Sequence, residues 1–172
     1  VAVFGPNTLP LALKSVAGGD FAAASAGGKP VIGKANSSHP GTTRLLAEEA
    51  LEAVRAAGLP AAMVQLLYRT NHETGKKLVA HPEIGATGYT GSRAAGLVLK
   101  GAADKAGKPI YLELSSIKPV VVLPGALEER GEELGGEFTT SCLMGAGQFC
   151  TIPSLLILLQ GPATDEQRKS TR

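Results

Sequence analysis

The stretch GAGQFCT, residues 145–151, places Cys150 on a segment that contains two glycines. Gly145 and Gly147 permit tight backbone turns and Pro153 follows, so the segment is predicted to be a loop. A thiolate on a loop can act as a nucleophile when a helix terminus or a base activates it. A buried structural thiol is the alternative, because free cysteine is among the residue types most often buried.

Glu113 and Asn7 are two further residues that could act on a carbonyl. Glu113 lies near the end of the apolar run PIYLEL, residues 109–114, where a carboxylate could serve as a general base. Asn7 lies in GPNTLP, and its side-chain amide could donate a hydrogen bond to a developing oxyanion. The structural alternatives are a solvated carboxylate for Glu113 and a turn residue for Asn7.

Four residues in other loops could hold a nucleotide. Lys34, with Ser37 three residues later, follows an apolar run at the place where a ribose or its 2′-phosphate lies in a dinucleotide fold. Gly91 and Ser92 open a predicted helix in GYTGSRAAG, so backbone N–H groups and the serine hydroxyl could hold a phosphate. A solvated lysine and a plain strand-to-helix turn are the alternatives.

Short apolar runs alternate with longer segments along the first two thirds of the chain. Predicted strands cover residues 1–5, 30–35, 61–68, 84–90 and 109–114, and predicted helices cover residues 9–28, 42–58, 72–82 and 91–107. This alternation is typical of an α/β fold, a Rossmann-like parallel sheet with helices on both faces. Ligands bind such sheets beyond the carboxyl ends of the strands, so Lys34, Gly91 and Glu113 are expected along one edge.

The pattern changes after Ser116, which predicts a domain boundary. Residues 1–116 are expected to be part of a dinucleotide-binding domain, and residues 117–172 to begin a second α/β catalytic domain that carries the nucleophile loop. The second part is predicted to contain a strand and turn at 118–127, a helix to about residue 144 and a strand at 154–160. Its polar tail is expected to leave the core or fray.

Composition excludes several classes of protein. The 172 residues are 44% hydrophobic, enough for a core, and the net charge of +2 comes from scattered residues that give no nucleic-acid-binding surface. The longest apolar run, LLILL, is too short to span a bilayer, and no signal peptide opens the chain, so a cytoplasmic protein is expected. Because Val1 already begins a predicted strand, the chain is expected to be an internal fragment.

The cysteines and histidines lack the spacing of a metal site. Cys142 and Cys150 lie eight residues apart, and neither a CxxC pair nor a zinc-type Cys/His cluster is present in the sequence. His39, His72 and His81 are expected to be surface or cap residues.

Five motifs in order, GPNTLP, KPVIGKA, GYTGS, LELSS and GQFCT, resemble the aldehyde dehydrogenase superfamily. The resemblance extends to about residue 160. Within the superfamily, LELSSIKPVVVLPGAL and GAGQFCT are similar to the branch of α-ketoglutaric semialdehyde (2,5-dioxovalerate) and fatty-aldehyde dehydrogenases.

The resemblance implies a role for each residue in catalysis. Cys150 would attack the aldehyde, Asn7 and the Cys150 backbone N–H would stabilise the oxyanion, and Glu113 would activate water to hydrolyse the thioester. The acid would then leave. A small-molecule aldehyde is the implied substrate, and a homo-oligomer is the implied assembly.

The resemblance also implies a nicotinamide cofactor. Gly91 and Ser92 would lie near its pyrophosphate, Lys34 would contact the adenosine ribose, and Leu114 would line the cofactor site. NAD-preferring relatives often carry glutamate three residues after the lysine, where this chain has Ser37. A neutral serine does not repel a 2′-phosphate, so NADP is the predicted cofactor, with NAD as an alternative.

The chain departs from the family pattern at Lys118, where relatives usually have asparagine, and at Ser154, where they usually have glycine. It is also much shorter than the family's full fold. Two other functions stay open on the sequence alone: a dehydrogenase that transfers the acyl group to coenzyme A, and a truncated non-catalytic module. Glu113 favours hydrolysis over acyl transfer, because acylating members commonly lack a base at that position.

Overall fold

A computed structural model describes residues 1–6 and 15–165 of the chain. The chain forms two compact units, Val1–Ser115 and Ser116–Arg172. The first unit is built on a five-stranded sheet and the second on a two-stranded sheet.

All five strands of the first unit run parallel, in the order β3-β2-β1-β4-β5. The strands are β1 (Ala2–Phe4), β2 (Val31–Lys34), β3 (Val64–Leu67), β4 (Thr87–Gly91) and β5 (Ile110–Leu114). The predicted α/β fold with a parallel sheet is therefore confirmed. Each strand is shorter than its apolar run; a 3-10 turn, Ala61–Met63, takes the start of the third run.

Within the described residues, four α-helices connect these strands: α1 (Gly19–Ala26), α2 (Pro40–Ala56), α3 (His72–Ala80) and α4 (Arg93–Lys105). Pro40 begins α2, as its fixed φ and missing N–H favour. The Asn71 side chain caps α3 by accepting a hydrogen bond from the Thr74 N–H at 2.8 Å. Of the helix predicted at 9–28, the structure describes only residues 15–28, and α1 begins at Gly19.

One face of the sheet packs against α3 and α4. The buried cluster on this face consists of Ala2, Phe4, Val79, Ile84, Tyr89, Leu99 and Ala103. The Phe4 and Tyr89 rings, from neighbouring strands, lie 6.2 Å apart at a tilt of 50°. Burial of this apolar surface provides the main force that holds the helices to the sheet.

The opposite face is covered by the segment that leads into α1. A Cβ atom on Gly33 would lie 2.6 Å from the Ser15 carbonyl oxygen, and one on Gly88 would lie 2.6 Å from Asp20 Oδ2. Side chains alternate along a strand, so a Cβ on either glycine would point to this face, whereas the residue after each glycine points to the face of α3 and α4. The predicted helical cover on both faces is confirmed for the first unit.

The second unit contains β6 (Pro119–Val122), α5 (Pro124–Gly147) and β7 (Leu155–Leu158). β6 and β7 pair in parallel. The strand-and-turn prediction for 118–127 is wrong in its second half, because Pro124 begins a helix there, as proline in a first turn favours. α5 is kinked at Arg130 and leaves helical geometry at Met144.

The polar tail does not leave the core at once. Ala163 and Thr164 are buried, and the Thr164 hydroxyl donates to the Leu159 carbonyl at 2.5 Å. The prediction of a fraying tail is therefore wrong as far as residue 165, since Ala163 and Thr164 are buried and a part-buried hydrogen bond holds Thr164 to Leu159. None of the helices within residues 1–6 and 15–165 is both long and apolar enough to cross a bilayer.

Candidate active site

The ends of the parallel strands bring several predicted site residues to one edge of the first unit, the carboxyl edge. Lys34 lies opposite Phe4 in the ladder of β1 and β2. Glu113 lies opposite Thr90, and Leu114 lies opposite Gly91, in the ladder of β4 and β5. Parallel strands share their direction, so these residues occupy the end of the sheet where ligands of open α/β sheets bind.

Lys34 is half-buried at this edge. Burial lowers the pKa of its amine, and the nearby positive charge of Arg69 lowers that pKa further. Arg69 follows β3, the strand next to β2, so the two positive charges lie at adjacent strand ends. Like charges repel, so an anionic ligand near both side chains would stabilise this arrangement.

Ser37 lies on the loop after β2 and is exposed. The turn is held by Asn36, whose Oδ1 accepts a hydrogen bond from the Ser38 N–H at 3.0 Å. Asparagine side chains stabilise such turns because they substitute for a backbone acceptor. The loop thus presents a neutral hydroxyl beside the strand that ends in Lys34.

Gly91 and Ser92 join β4 to α4. Ser92 is the N-cap of α4, and its Oγ accepts a hydrogen bond from the Ala95 N–H at 3.4 Å. A Cβ atom on Gly91 would lie 2.6 Å from the Tyr89 hydroxyl oxygen, so only glycine fits without movement. The first N–H groups of a helix lack intrahelical acceptors, and this end of α4 therefore favours an anion.

Leu114 fixes the distance between α4 and β5. A Cβ atom on Gly96 would lie 2.5 Å from Leu114 Cδ2 and 3.1 Å from the Tyr89 ring. The helix therefore approaches the sheet closely just behind the Gly91–Ser92 turn. Leu114 is half-buried in this contact.

Glu113 is exposed at the end of β5, next to the nearly buried Thr90 on β4. Side chains alternate along the strand, so Glu113 and Leu114 point to opposite faces of the sheet. A carboxylate open to solvent can take a proton from a water molecule, which is the requirement for a general base in hydrolysis.

Cys150 belongs to the second unit and is exposed. It lies in a turn closed by a hydrogen bond from the Ile152 N–H to the Phe149 carbonyl, at 3.3 Å. Before it, Gly145, Ala146 and Gly147 all have positive φ, of 57°, 56° and 71°. The predicted loop therefore begins in the left-handed end of α5 and continues in the turn that carries the exposed Cys150.

The aldehyde dehydrogenase family model matches residues 1–170. The chain belongs to the aldehyde dehydrogenase family.

Two bacterial members of this family are similar to most of the chain. The α-ketoglutaric semialdehyde dehydrogenase 2 of Azospirillum brasilense is 45% identical over 167 residues, covering 96% of this chain and 32% of that protein. The α-ketoglutaric semialdehyde dehydrogenase of Acinetobacter baylyi is 42% identical over 168 residues, covering 96% and 31%. The chain thus spans about a third of the length of the curated relatives it matches.

The fold is also that of solved aldehyde dehydrogenases. A methylmalonate-semialdehyde dehydrogenase of Sinorhizobium meliloti 1021, solved in complex with NAD, superposes with a TM-score of 0.76 over 98% of this chain and 32% of its own. At 17% sequence identity, this likeness shows the fold alone.

Arg69 is a candidate for the carboxyl edge that sequence reasoning did not single out. It follows an apolar run, as Lys34 does, and that position was the available signal. Its place next to Lys34 depends on β3 pairing with β2, which no local pattern specifies.

Asn7 lies outside the described residues. His39 is the N-cap of α2, His81 is the C-cap of α3, and His72 is exposed in the first turn of α3, so the prediction of surface or cap positions is confirmed. Among residues 1–6 and 15–165, no group of three or more His, Cys, Asp or Glu side chains could hold a metal ion.

Proposed function

We propose that the protein oxidises an aldehyde to the carboxylic acid with NADP, and less efficiently with NAD. The substrate class is a semialdehyde such as 2,5-dioxopentanoate, as the names of the 45% and 42% identical relatives suggest. The observation that carries the proposal is the exposed Cys150 on its turn after α5, in a chain of the aldehyde dehydrogenase family.

The first step is attack by the Cys150 thiolate on the aldehyde carbon. The carbonyl oxygen becomes an oxyanion, which the Cys150 backbone N–H and the Asn7 amide stabilise by hydrogen bonds. Loss of one such donor typically costs about 100- to 1,000-fold in rate. The former aldehyde carbon of the adduct then loses a hydride. This converts the adduct to a thioester of Cys150.

The carboxyl edge of the first unit has the residues that a dinucleotide requires. The N-terminus of α4, with Ser92 as its N-cap, offers backbone N–H donors to a pyrophosphate, and Gly91 precedes it without a side chain. Lys34 and Arg69 would supply positive charge to the adenosine ribose or its 2′-phosphate, and Ser37 would add no negative charge there. A bound nicotinamide supplies the hydride acceptor.

The pair of cations supports NADP over NAD. A 2′-phosphate would neutralise both Lys34 and Arg69, whereas a 2′-hydroxyl would leave their mutual repulsion in place. Charge-assisted hydrogen bonds to a phosphate contribute about 1.5–3 kcal/mol each.

The last step is hydrolysis of the thioester. Glu113 takes a proton from water, the resulting hydroxide attacks the thioester carbon, and the Cys150 sulfur leaves as thiolate. The acid is released and the nucleophile is regenerated. This step distinguishes the proposed enzyme from a coenzyme A-acylating relative.

The deciding experiment measures initial rates of the protein with a panel of aldehydes, including 2,5-dioxopentanoate, with NAD and NADP in parallel. The products are identified with and without coenzyme A. Free acid in both cases supports the proposal. Acyl-CoA as the only product would replace hydrolysis with acyl transfer, and no turnover of any aldehyde would support a non-catalytic module.

The assembly is a separate part of the proposal. We propose a homo-oligomer, as the family resemblance implies. Light scattering of the purified protein tests this directly, and a monomeric mass at micromolar concentration would contradict it.

A further inference from the structure

We propose that Cys142 is a resolving thiol that captures oxidised Cys150 as an intramolecular disulfide. The inference rests on the proposed role of Cys150 as an accessible nucleophile. It concerns only the second unit, which contains both cysteines.

Cys142 lies next to the end of the Cys150 turn. Its Sγ lies 3.7 Å from the Pro153 carbonyl oxygen, three residues after Cys150. Its carbonyl oxygen lies 3.5 Å from the place where a Cβ atom on Gly147 would stand, three residues before Cys150. The C-terminal end of the Cys150 turn therefore lies against the second thiol.

The turn keeps Cys150 close to Pro153, whose carbonyl oxygen lies beside the Cys142 sulfur. Three residues span at most about 10 Å when extended. The hydrogen bond between the Ile152 N–H and the Phe149 carbonyl, at 3.3 Å, shortens the path from Cys150 to Pro153. A disulfide needs Cα atoms about 4.4–6.8 Å apart, and the proposal requires the turn to bring Cys150 within that separation of Cys142.

The two thiols differ in exposure, as an attacked and a resolving thiol require. Cys150 is exposed, so a peroxide reaches it first, whereas Cys142 is half-buried beneath the turn. Gly145, Ala146 and Gly147, all with positive φ, separate the helical part of α5 from the turn. Such a left-handed run is a place where the backbone can change direction without disturbing the helix.

The chemistry is balanced with a hydroperoxide as the oxidant. The Cys150 thiolate attacks one peroxide oxygen, the O–O bond breaks, the other oxygen leaves as an alkoxide or hydroxide, and Cys150 becomes a sulfenic acid. The Cys142 sulfur then attacks the Cys150 sulfur, the S–O bond breaks, and the thiol proton leaves with the hydroxyl as water. A dithiol reductant reverses the oxidation by taking both sulfurs back to thiols.

The test treats the protein with hydrogen peroxide, blocks free thiols and maps the tryptic peptides by mass spectrometry. Both cysteines fall between Arg130 and Arg168, so one peptide that has lost two hydrogen atoms reports the disulfide. This readout requires no turnover, so it stands or fails independently of the proposed dehydrogenase activity.

Recovery of the nucleophile gives the second readout. After peroxide and then dithiothreitol, the unsubstituted protein recovers most of its free Cys150 thiol, whereas Cys142→Ser recovers about tenfold less because oxidation continues to sulfinic acid. Ser141→Ala, a change at the neighbouring residue, recovers like the unsubstituted protein. Equal recovery in the presence and absence of Cys142, or a disulfide only between molecules, would overturn the proposal.

Discussion

Lys34 ends β2, and Arg69 follows the end of the adjacent strand β3, so two positive charges lie at neighbouring strand ends. Lys34 is half-buried, and its pKa is lowered first by burial and then by Arg69. A protein gains nothing in stability from this pair, because both effects disfavour the charged amine. An anionic ligand at the carboxyl edge would remove the unfavourable interaction.

Arg69→Ala is predicted to weaken NADP binding and leave NAD binding nearly unchanged. The lost charge-assisted contact to the 2′-phosphate corresponds to about a tenfold or larger rise in the Kd for NADP. Isothermal titration with both dinucleotides measures the difference. Lys77→Ala, in α3, is the control and is expected to affect neither. A similar loss for NAD and NADP would show that Arg69 does not read the 2′-phosphate.

Lys34→Met is predicted to change the pH dependence of stability. The folded state holds the Lys34 proton less tightly than the unfolded state, since its pKa is lowered on folding. The free energy of unfolding therefore gains a contribution that rises with pH between the lowered pKa and the ordinary lysine value. Denaturant unfolding from pH 8 to 10.5 should show this rise, and the variant should lack it. Parallel curves for the two proteins would contradict the assignment.

Gly33→Ala is predicted to destabilise the first unit. Its Cβ would lie 2.6 Å from both the Ser15 carbonyl oxygen and Val16 Cγ1, and the backbone must move to relieve this contact. Overpacking of this kind costs about 1–3 kcal/mol. Gly101→Ala, on α4 with open space around it, should instead gain about 0.5–1 kcal/mol from helix propensity. Chemical denaturation measures the free energy of unfolding, which should fall for Gly33→Ala and rise for Gly101→Ala.

Ser92→Ala is predicted to lower stability and to weaken dinucleotide binding, whereas Asn71→Ala is predicted to lower stability alone. Each side chain caps a helix, so each loss should cost about 1 kcal/mol of stability. Only Ser92 lies at the proposed pyrophosphate site, so only its loss should also weaken dinucleotide binding. Melting temperatures and cofactor titrations separate the effects, and unchanged binding by Ser92→Ala would remove Ser92 from the cofactor site.

Glu113→Gln and Cys150→Ala are predicted to stop the reaction at different steps. Without the thiol no hydride is transferred, so Cys150→Ala should give neither a burst nor turnover. Without the base, hydride transfer continues once per site, and thioester hydrolysis slows by about 100- to 10,000-fold. Stopped-flow absorbance of the reduced cofactor should therefore show a burst in Glu113→Gln alone. A fast steady state without a burst would exclude Glu113 as the base.

The sequence by itself determined the parallel α/β fold and the strand ends that carry Lys34, Gly91 and Glu113. Apolar runs of strand length and amphipathic runs of helical length are local patterns, and local patterns fix the type of each element. Motif order also identified the family. Local patterns placed element ends less well, as at Pro124, where a helix begins within the predicted turn.

Only the tertiary structure decided which of these residues are neighbours. Arg69 acts on the pKa of Lys34 because β3 pairs with β2. Gly96 lies against Leu114 because α4 packs onto β5. Cys142 contacts Pro153 because the chain reverses after α5. Strand order and helix packing arise from burial of surface shared by segments far apart in the chain, so no window of sequence contains them.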